Sequence, residues 1–90
     1  MADRASPRTL EVEVQLKPGV LDAEADTVRR SLALLGIAGL AGVGTARLFR
    51  LRFEGLSEAE ARAEAQRAVD RLLANPVIHR VAIRAVAPDG

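Results

Sequence analysis

A strict alternation of apolar and polar residues marks the first predicted element of the chain. Its apolar positions are Leu10, Val12, Val14 and Leu16, and the polar residues between and after them are Glu11, Glu13, Gln15 and Lys17. A period of two places every second side chain on the same face of a strand. The Pro18–Gly19 pair that follows is a turn signal. The pattern therefore predicts a half-buried β-strand that ends before this turn.

After the turn the apolar spacing changes to three and four residues, which predicts a helix. The apolar face of this helix carries Val28, Leu32 and Leu35. Either Asp22 or Asp26 can cap its first turn, and Gly36 is a stop signal. A glycine-rich loop over residues 36–44 is expected to follow.

Alternation returns in the middle of the chain and predicts further strand structure. Phe49, Leu51 and Phe53 have one parity, and Arg50, Arg52 and Glu54 have the other. Val43 and Thr45 share the parity of Phe49, so the segment from Val43 to Glu54 is either one long strand or two strands joined by a kink near Ala46. The sequence leaves this choice open.

A second helix and a last strand complete the pattern. Ser57 and Glu60 have the spacing of a capping box, and the helix is expected to run to about Leu73. Its predicted apolar stripe consists of Ala61, Ala65, Ala68, Val69 and Leu72. Asn75–Pro76 ends the helix. The last strand is expected over residues 77–86, with Val81, Ile83 and Ala85 on one face and Arg80 and Arg84 on the other.

The order of elements predicts a small α+β domain. It has a small antiparallel sheet with two helices packed on one face and is related to the ferredoxin-like fold. A buried parallel sheet is excluded because its strands would be almost continuously apolar. We expect a flexible tail over residues 1–8, a single domain over residues 9–87 and a second tail over residues 88–90.

The second face of the predicted sheet is charged. It would carry Glu11 and Glu13 on the first strand and Arg50, Arg52, Arg80 and Arg84 on the other two. Opposite charges on neighbouring strands stabilise their pairing modestly. Two interpretations follow: a solvated, charged surface, or a dimer surface where two such sheets meet.

Composition removes several classes of function. The 90 residues include no cysteine and one histidine, His79, so histidine and cysteine cannot build a metal site. No serine lies in a pattern that would place it beside a base, and Ser57 is explained by capping. The formal net charge of +1 points to neither nucleic acid nor a membrane. His79 is expected to have a structural or solvent role, with a partner contact as the alternative.

Two patterns that suggest phosphate binding have simpler explanations. The glycines of residues 36–44 follow a helix and lack the lysine of a phosphate-binding loop. Arg47, Arg50 and Arg52 could bind phosphates, but an RNA-binding sheet needs stacking aromatics on its open face. Phe49 and Phe53 have the opposite parity and are expected in the core. A ligand- or RNA-binding module of ferredoxin-like fold is therefore the alternative rather than the first hypothesis.

Three segments resemble the PurS family, the small component of the phosphoribosylformylglycinamidine synthase complex. They read VQLKPGVLD at residues 14–22, SLALLG at residues 31–36 with Gly42–Val43 after it, and LLANPVI at residues 72–78. The resemblance covers roughly residues 10–83. It implies the same α+β fold and a homodimer or higher homo-oligomer.

The resemblance also implies a function. Such a subunit has no catalytic residues of its own and bridges a PurQ-type glutaminase, which releases ammonia, to a PurL-type synthetase, assisting ammonia transfer between them. Together they form an ATP-dependent, glutamine-hydrolysing ligase complex of purine biosynthesis. ATP, Mg and glutamine would be used by the partner subunits, and this chain would bind no cofactor itself. A cytoplasmic location is expected, with no nucleic acid and no membrane as partner.

The resemblance nominates contact residues that match the family and lie outside the apolar stripes. These candidate partner contacts are Lys17, Asp22, Arg47, Asn75 and Pro76. The alternative is that Pro18, Gly19 and Pro76 only shape turns. The chain departs from the family pattern before the second alternating run, where Gly44 replaces an arginine and Ala46 replaces a glycine. A partner contact in that segment is expected to be altered.

Overall fold

The structure is a computed structural model that describes residues 6–86. Its strands are β1 (Arg8–Leu16), β2 (Ala46–Phe53) and β3 (His79–Ala85), and its helices are α1 (Ala23–Leu34) and α2 (Glu58–Ala68). The predicted small α+β class is confirmed, with a three-stranded antiparallel sheet and two helices. Of the predicted tails, residues 1–5 and 88–90 lie outside the described residues, and β1 already begins at Arg8.

Strand β1 occupies the centre of the sheet, whose order is β2-β1-β3. Leu10 lies opposite Leu51 on one side and Ala85 on the other. Both Leu10 and Val12 are completely buried. Burying a side chain of this size contributes roughly 1.5–3 kcal/mol. The alternation that predicts β1 therefore also identifies the centre of the core.

Helix α2 covers β1 with alanine. Ala61 and Ala65 are fully buried against the strand, and Val69 continues this row. A side chain of one carbon lets the helix backbone approach the sheet closely. The predicted capping box is confirmed: the Glu60 N–H donates to Ser57 Oγ (3.2 Å), and the Ser57 N–H donates to Glu60 Oε1 (2.9 Å).

The helix changes its pitch after Ala68, and this overturns one predicted core position. Residues Val69–Leu73 form a π-helical turn in which the Ala74 N–H donates to the Val69 carbonyl (3.3 Å). This turn holds more residues than an α-helical one, so Leu73 follows Val69 toward the core. Leu72, which the α-helical period places in the apolar stripe, is 83% exposed.

Helix α1 is well formed but stands apart from the core. Asp22 is its N-cap, and beyond its last residue the N–H groups of Gly36 and Ile37 donate to the Ala33 and Leu32 carbonyls. This closing pattern needs a left-handed residue, and Gly36 supplies it with φ of 77°. Within residues 6–86, α1 makes at most marginal contact with the other elements, and Ala25 is its one buried residue. In a single chain, α2 therefore covers the sheet without α1 beside it.

Residues 43–54 contain a single strand, β2, rather than two strands joined by a kink. Strand β2 begins at Ala46, which pairs with Gln15, the last residue of β1 that pairs with β2. Beyond this pair β1 ends at Leu16 and the chain turns. Residues 43–45 thus have no neighbouring strand to pair with, and no further strand forms there within the described chain.

The outer face of the sheet carries the predicted ladder of opposite charges. Glu11 accepts from Arg50 Nε on β2 (3.1 Å) and lies 3.4 Å from Arg84 Nε on β3. Arg84 also donates to Glu13 Oε1 (2.8 Å). This hydrogen bond, and after it one from Gln15, lowers the pKa of Glu13 below its ordinary value. The same bond to Glu13 raises the pKa of Arg84. The predicted cross-strand pairing is confirmed.

Candidate functional site

The five candidate contact residues lie at one end of the sheet. Strand β1 ends at Leu16, while its two antiparallel neighbours begin there, β2 at Ala46 and β3 at His79. The segments that flank these strand ends are residues 17–22, 45–47 and 74–78, which carry Lys17, Asp22, Arg47, Asn75 and Pro76. We call this region the loop end of the sheet. The fold thus brings together residues that are up to 59 positions apart.

Lys17 opens a tight turn that joins two of the matching segments. The Val20 N–H donates to the Lys17 carbonyl (3.1 Å), and Gly19 between them has φ of 87°. A positive φ at this position is easily adopted only by glycine, so the backbone requires Gly19. The Lys17 N–H donates to the Ile78 carbonyl (2.8 Å). The Lys17 side chain is exposed and its backbone ties the first loop to the third.

Asp22 joins the start of α1 to the segment that precedes β2. Its Oδ1 accepts from the Ala25 N–H (2.9 Å), which caps the helix. Its Oδ2 accepts from Thr45 Oγ1 (2.7 Å) and from the Thr45 N–H (3.3 Å). The Thr45 hydroxyl, and after it the Ala25 amide, lower the pKa of Asp22 below the ordinary 3.8. Asp22 therefore has a structural role at the position where a partner contact is predicted.

Lowering the pH should selectively remove the contribution of the Asp22 carboxylate to the stability of the fold. A pKa lower in the folded chain than in the unfolded one means that the carboxylate stabilises the fold above pH 3.8 and loses this effect as pH falls through the folded pKa. We expect Asp22→Asn to melt a few degrees below the wild type at pH 7, and the two melting temperatures to converge toward pH 3.

Glu24→Gln is the matched control for this titration. Glu24 lies in the first turn of the same helix, and its side chain makes no hydrogen bond within residues 6–86. Its melting temperature should follow that of the wild type across the same pH series. If the melting temperature of Asp22→Asn also ran parallel to that of the wild type down to pH 3, the charge of the carboxylate would contribute nothing to stability.

Arg47 is the candidate with no structural explanation. It is exposed at the second position of β2, on the parity of Phe49 and opposite Val14 of β1. Its side chain has no hydrogen-bond or ion-pair partner among residues 6–86. An unpaired exposed guanidinium keeps all five donors available for a carboxylate or carbonyl of another molecule.

Asn75 and His79 build the third loop together. The Asn75 carbonyl accepts from the N–H groups of Ile78 (3.1 Å) and His79 (2.8 Å), and its side-chain oxygen accepts from the Val77 N–H (2.9 Å). The Asn75 N–H in turn donates to His79 Nδ1 (2.9 Å). His79 thus has the structural role predicted as the first of its two alternatives, and Pro76 is held exposed at the tip of the loop.

Sequence reasoning missed the exposed apolar residues of the same loops. Leu21 is 82% exposed and Val77 is 77% exposed, and Leu72 emerges just before the third loop. Leu21 follows the predicted Pro18–Gly19 turn, whereas Val77 was expected to open the last strand, which in the structure begins two residues later at His79. The exposure of Leu72 follows from the π-helical turn and has no signal in the α-helical period.

Two concave surfaces meet at the loop end. A cavity of about 300 Å³ is lined by Val14, Leu16, Asp22, Glu24, Thr45, Ala46, Arg47 and His79. A groove of about 480 Å³ is lined by Arg62, Gln66, Val69, Asp70, Ala74, Pro76, His79, Val81 and Ile83. The cavity brings Asp22 and Arg47 together, and the groove contains Pro76. Lys17 and Asn75 line neither.

Within residues 6–86, no group of three or more histidine, cysteine or acidic side chains is placed to hold a metal ion. Over the same residues, no buried side-chain nitrogen or oxygen lacks a hydrogen-bond partner, and no helix is long and apolar enough to cross a membrane. What the fold presents is the class of small α+β domains, here with exposed polar and apolar residues in its loops.

Comparison with known proteins identifies the family within this class. The family profile of PurS, described as phosphoribosylformylglycinamidine (FGAM) synthase, matches residues 9–87. A relative in Archaeoglobus fulgidus, the phosphoribosylformylglycinamidine synthase subunit PurS, is 38% identical over 81% of this chain and 91% of its own length. The chain belongs to the PurS family.

Known structures agree with this assignment. The crystal structure of Methanocaldococcus jannaschii PurS, described as one of the subunits of formylglycinamide ribonucleotide amidotransferase, superposes with a TM-score of 0.80 at 32% identity, covering 91% of this chain and 99% of that one. A chain of the PurLQS structure from Thermotoga maritima superposes with a TM-score of 0.82 over 90% of this chain and 99% of that one. At 21% identity the second likeness speaks for the fold alone.

Proposed function

We propose that this chain is the small non-catalytic subunit of phosphoribosylformylglycinamidine synthase in purine biosynthesis. The observation that carries the proposal is the match to the PurS family over residues 9–87, almost the whole chain. The Archaeoglobus relative, at 38% identity, is itself a subunit of that synthase. Among the candidate residues of the loop end, Lys17 and Arg47 fit this role because their charged side chains remain exposed.

The finer part of the proposal is that the chain bridges a PurQ-type glutaminase and a PurL-type synthetase and assists ammonia transfer between them. A Thermotoga chain of the same fold occurs in a PurLQS structure, which supports this arrangement. Ammonia is small and readily lost to bulk water, so excluding water between two sites preserves it. Holding two sites in register requires a rigid adaptor and no acid or base.

The bridge needs surfaces that remain available after folding. The loop end offers Arg47 and the exposed Leu21 and Val77, whereas α1 offers a separate apolar stripe. We assign the loop end to a partner subunit and the stripe of α1 to a homo-oligomer of this chain. ATP, Mg and glutamine belong to the partner subunits in this scheme, and the complex is placed in the cytoplasm.

The test compares two nitrogen sources. ATP turnover by the matching synthetase and glutaminase is measured with glutamine and, separately, with ammonium, with and without this chain. We expect the glutamine-driven reaction to be nearly abolished without the chain and the ammonium-driven reaction to be almost unchanged. Equal rates with and without the chain in both reactions would reject the subunit role.

The alternative of a ligand- or RNA-binding module gains no support from the open sheet face. Phe49 and Phe53 pack against the core, so they cannot stack on bases there. Arg50 and Arg84 on that face are paired with Glu11. Retention on heparin at moderate salt would nevertheless bring this alternative back.

A further inference from the structure

The third loop is closed by hydrogen bonds between Asn75 and the residues that lead into β3. The Asn75 carbonyl accepts from the N–H groups of Ile78 (3.1 Å) and His79 (2.8 Å), and its side-chain oxygen accepts from the Val77 N–H (2.9 Å). The Asn75 N–H donates back to His79 Nδ1 (2.9 Å). The first three bonds join amide groups, which do not titrate, whereas the last one needs an imidazole nitrogen as its acceptor.

The bond to Nδ1 fixes both the charge and the tautomer of the His79 ring. A ring nitrogen accepts a hydrogen bond only when it carries no proton, so the ring is neutral in this arrangement and its proton lies on Nε2. A protonated imidazole is a donor at both nitrogens. Protonation of His79 would therefore bring two N–H groups face to face and remove the acceptor of the Asn75 N–H.

No other group takes over the role of this bond. Within residues 6–86, the His79 ring makes no hydrogen bond except the one with Asn75. His79 lines both the cavity and the groove of the loop end, whose charged residues are Asp22, Glu24 and Arg47 in the cavity and Arg62 and Asp70 in the groove. Both aspartates and Arg62 already have hydrogen-bond partners of their own.

The strands add two further cations near the ring. His79 pairs with Leu16 of β1, which Lys17 follows, and Arg80 follows His79 itself. Arg80 points to the other face and donates to Gln15 (3.1 Å). Negative and positive charges around the ring are thus nearly balanced, and the contact with the Asn75 N–H is what distinguishes its neutral form from its protonated form.

The closed third loop holds two parts of the loop end in place. Pro76 and Val77 are exposed at its tip, and Val77 has 77% of its surface accessible. The Ile78 carbonyl accepts from the Lys17 N–H (2.8 Å), so the same loop also fixes the start of the first turn. A change of shape in the third loop therefore displaces Lys17 together with Pro76 and Val77.

We propose that His79 is a positioning residue for the partner contact: its neutral ring keeps the third loop in the shape that a partner subunit binds, and protonation releases the loop. The proposal rests on the proposed function, since it adds a form of regulation to the same loop end. It predicts that the chain joins the complex more weakly as pH falls through the range in which histidine changes its charge, about pH 8 to 5.

The composition of the chain isolates this effect. His79 is its only histidine, and cysteine is absent, so no second side chain of a type that changes its charge near neutral pH complicates the measurement. The Asp22 carboxylate, whose pKa is lowered below 3.8, stays ionised throughout this range. The expected weakening therefore occurs at a higher pH than the loss of the Asp22 contribution.

Two amide substitutions test the role of Nδ1. In His79→Asn the side-chain oxygen can take the position of Nδ1, so the Asn75 N–H keeps an acceptor that does not titrate. In His79→Gln the longer amide reaches the position of Nε2, and the acceptor is lost. Each chain is titrated into the glutamine-driven reaction at steps from pH 8 to pH 6. The concentration that gives half-maximal ATP turnover is compared between chains at each pH, so that titration of the partner subunits cancels.

We expect His79→Asn to match the wild type at pH 8 and His79→Gln to need about fivefold more chain, the effect of one lost hydrogen bond. As pH falls, the wild type should move toward His79→Gln, while the ratio between the two variants stays constant. Melting temperatures at each pH verify that all three chains are folded. A constant ratio of wild type to His79→Asn, or a His79→Gln chain that matches His79→Asn, would overturn the proposal.

Nuclear magnetic resonance of the isotope-labelled chain supplies a second measurement that needs no partner subunit. The ring nitrogens distinguish the two neutral tautomers and the charged ring, and the chain has a single imidazole. We expect the Nε2–H tautomer at pH 8, and an Asn75 amide signal that shifts with the same midpoint as the ring while the Leu10 amide stays constant. An Nδ1–H tautomer, or an Asn75 amide that ignores the titration, would also overturn the proposal.

The outcomes separate this inference from the proposed function. If the chain supports glutamine-driven turnover but the ratio of wild type to His79→Asn does not change with pH, only the role of His79 is wrong. If the Asn75 amide follows the ring titration and turnover does not respond to the chain at any pH, the pH-dependent loop stands and the subunit role fails.

Discussion

Replacement of Leu10 by alanine should destabilise this chain more than any other single truncation of its core. Leu10 is completely buried in β1, the central strand of the sheet, between Leu51 and Ala85. Truncating such a leucine costs about 2–5 kcal/mol, because transfer energy is lost and a cavity remains. Domains have only about 5–15 kcal/mol of stability in total, and small ones bury less surface. We therefore expect a large drop of the melting temperature, roughly 4–8 °C per kcal/mol.

The control is the same substitution at a leucine that packs on nothing. Leu34 is 90% exposed in α1, and Leu34→Ala should change stability by no more than about 0.5 kcal/mol. Both variants are melted at one protein concentration, because association shifts the apparent stability. If Leu10→Ala melted at the same temperature as Leu34→Ala, the core would not be centred on β1.

Reversal of the charge at Arg47 should have the largest effect on assembly with the partner subunits. Arg47 is exposed, unpaired among residues 6–86 and beside Asp22 in the cavity of the loop end. If a partner presents an acceptor to it, Arg47→Glu replaces an attraction by a repulsion. Truncating one side of a buried charge pair costs about 2–5 kcal/mol, so we expect roughly a 30-fold or greater loss of affinity for the complex. Affinity is measured by titrating the chain into the glutamine-driven reaction.

Arg52→Glu is the matched control on the same strand. Arg52 is also exposed and without a partner in the described chain, but it lies five residues along β2, about 16 Å away, and on the opposite face. We expect its titration curve to match that of the wild type. If the two variants behaved alike, general charge rather than a contact at Arg47 would govern assembly.

The geometry gives Asn75 and Asp22 structural roles, and the alternative that Pro76 only shapes a turn gains weight from its neighbour Asn75. Asn75 uses its side chain and its carbonyl inside the third loop. Asp22 is likewise occupied by Ala25 and Thr45. Their match to the family is therefore explained by loop shape. Among the five candidates, Arg47 and Lys17 are the two whose charged side chains remain exposed.

The sequence by itself determined the features of the fold that depend on local interactions. The alternation of β1, the capping box of Ser57 and Glu60 and the stop at Gly36 each depend on residues within a few positions of one another. Such signals act through nearby hydrogen bonds and side-chain parity, which tertiary contacts leave intact. The fold class and the family follow from them, because element order and three short motifs suffice.

Tertiary structure decided the features that depend on distant partners. Leu72 leaves the core because packing of Leu73 favours a π-helical turn over the α-helical period. Strand β2 begins at Ala46 because β1 offers no partner beyond Gln15. The apolar stripe of α1 predicts a helix packed on the sheet, but within residues 6–86 α1 makes at most marginal contact with the other elements. The hydrophobic periodicity of a segment predicts that one of its faces is buried, whereas the three-dimensional contacts determine which residues cover that face.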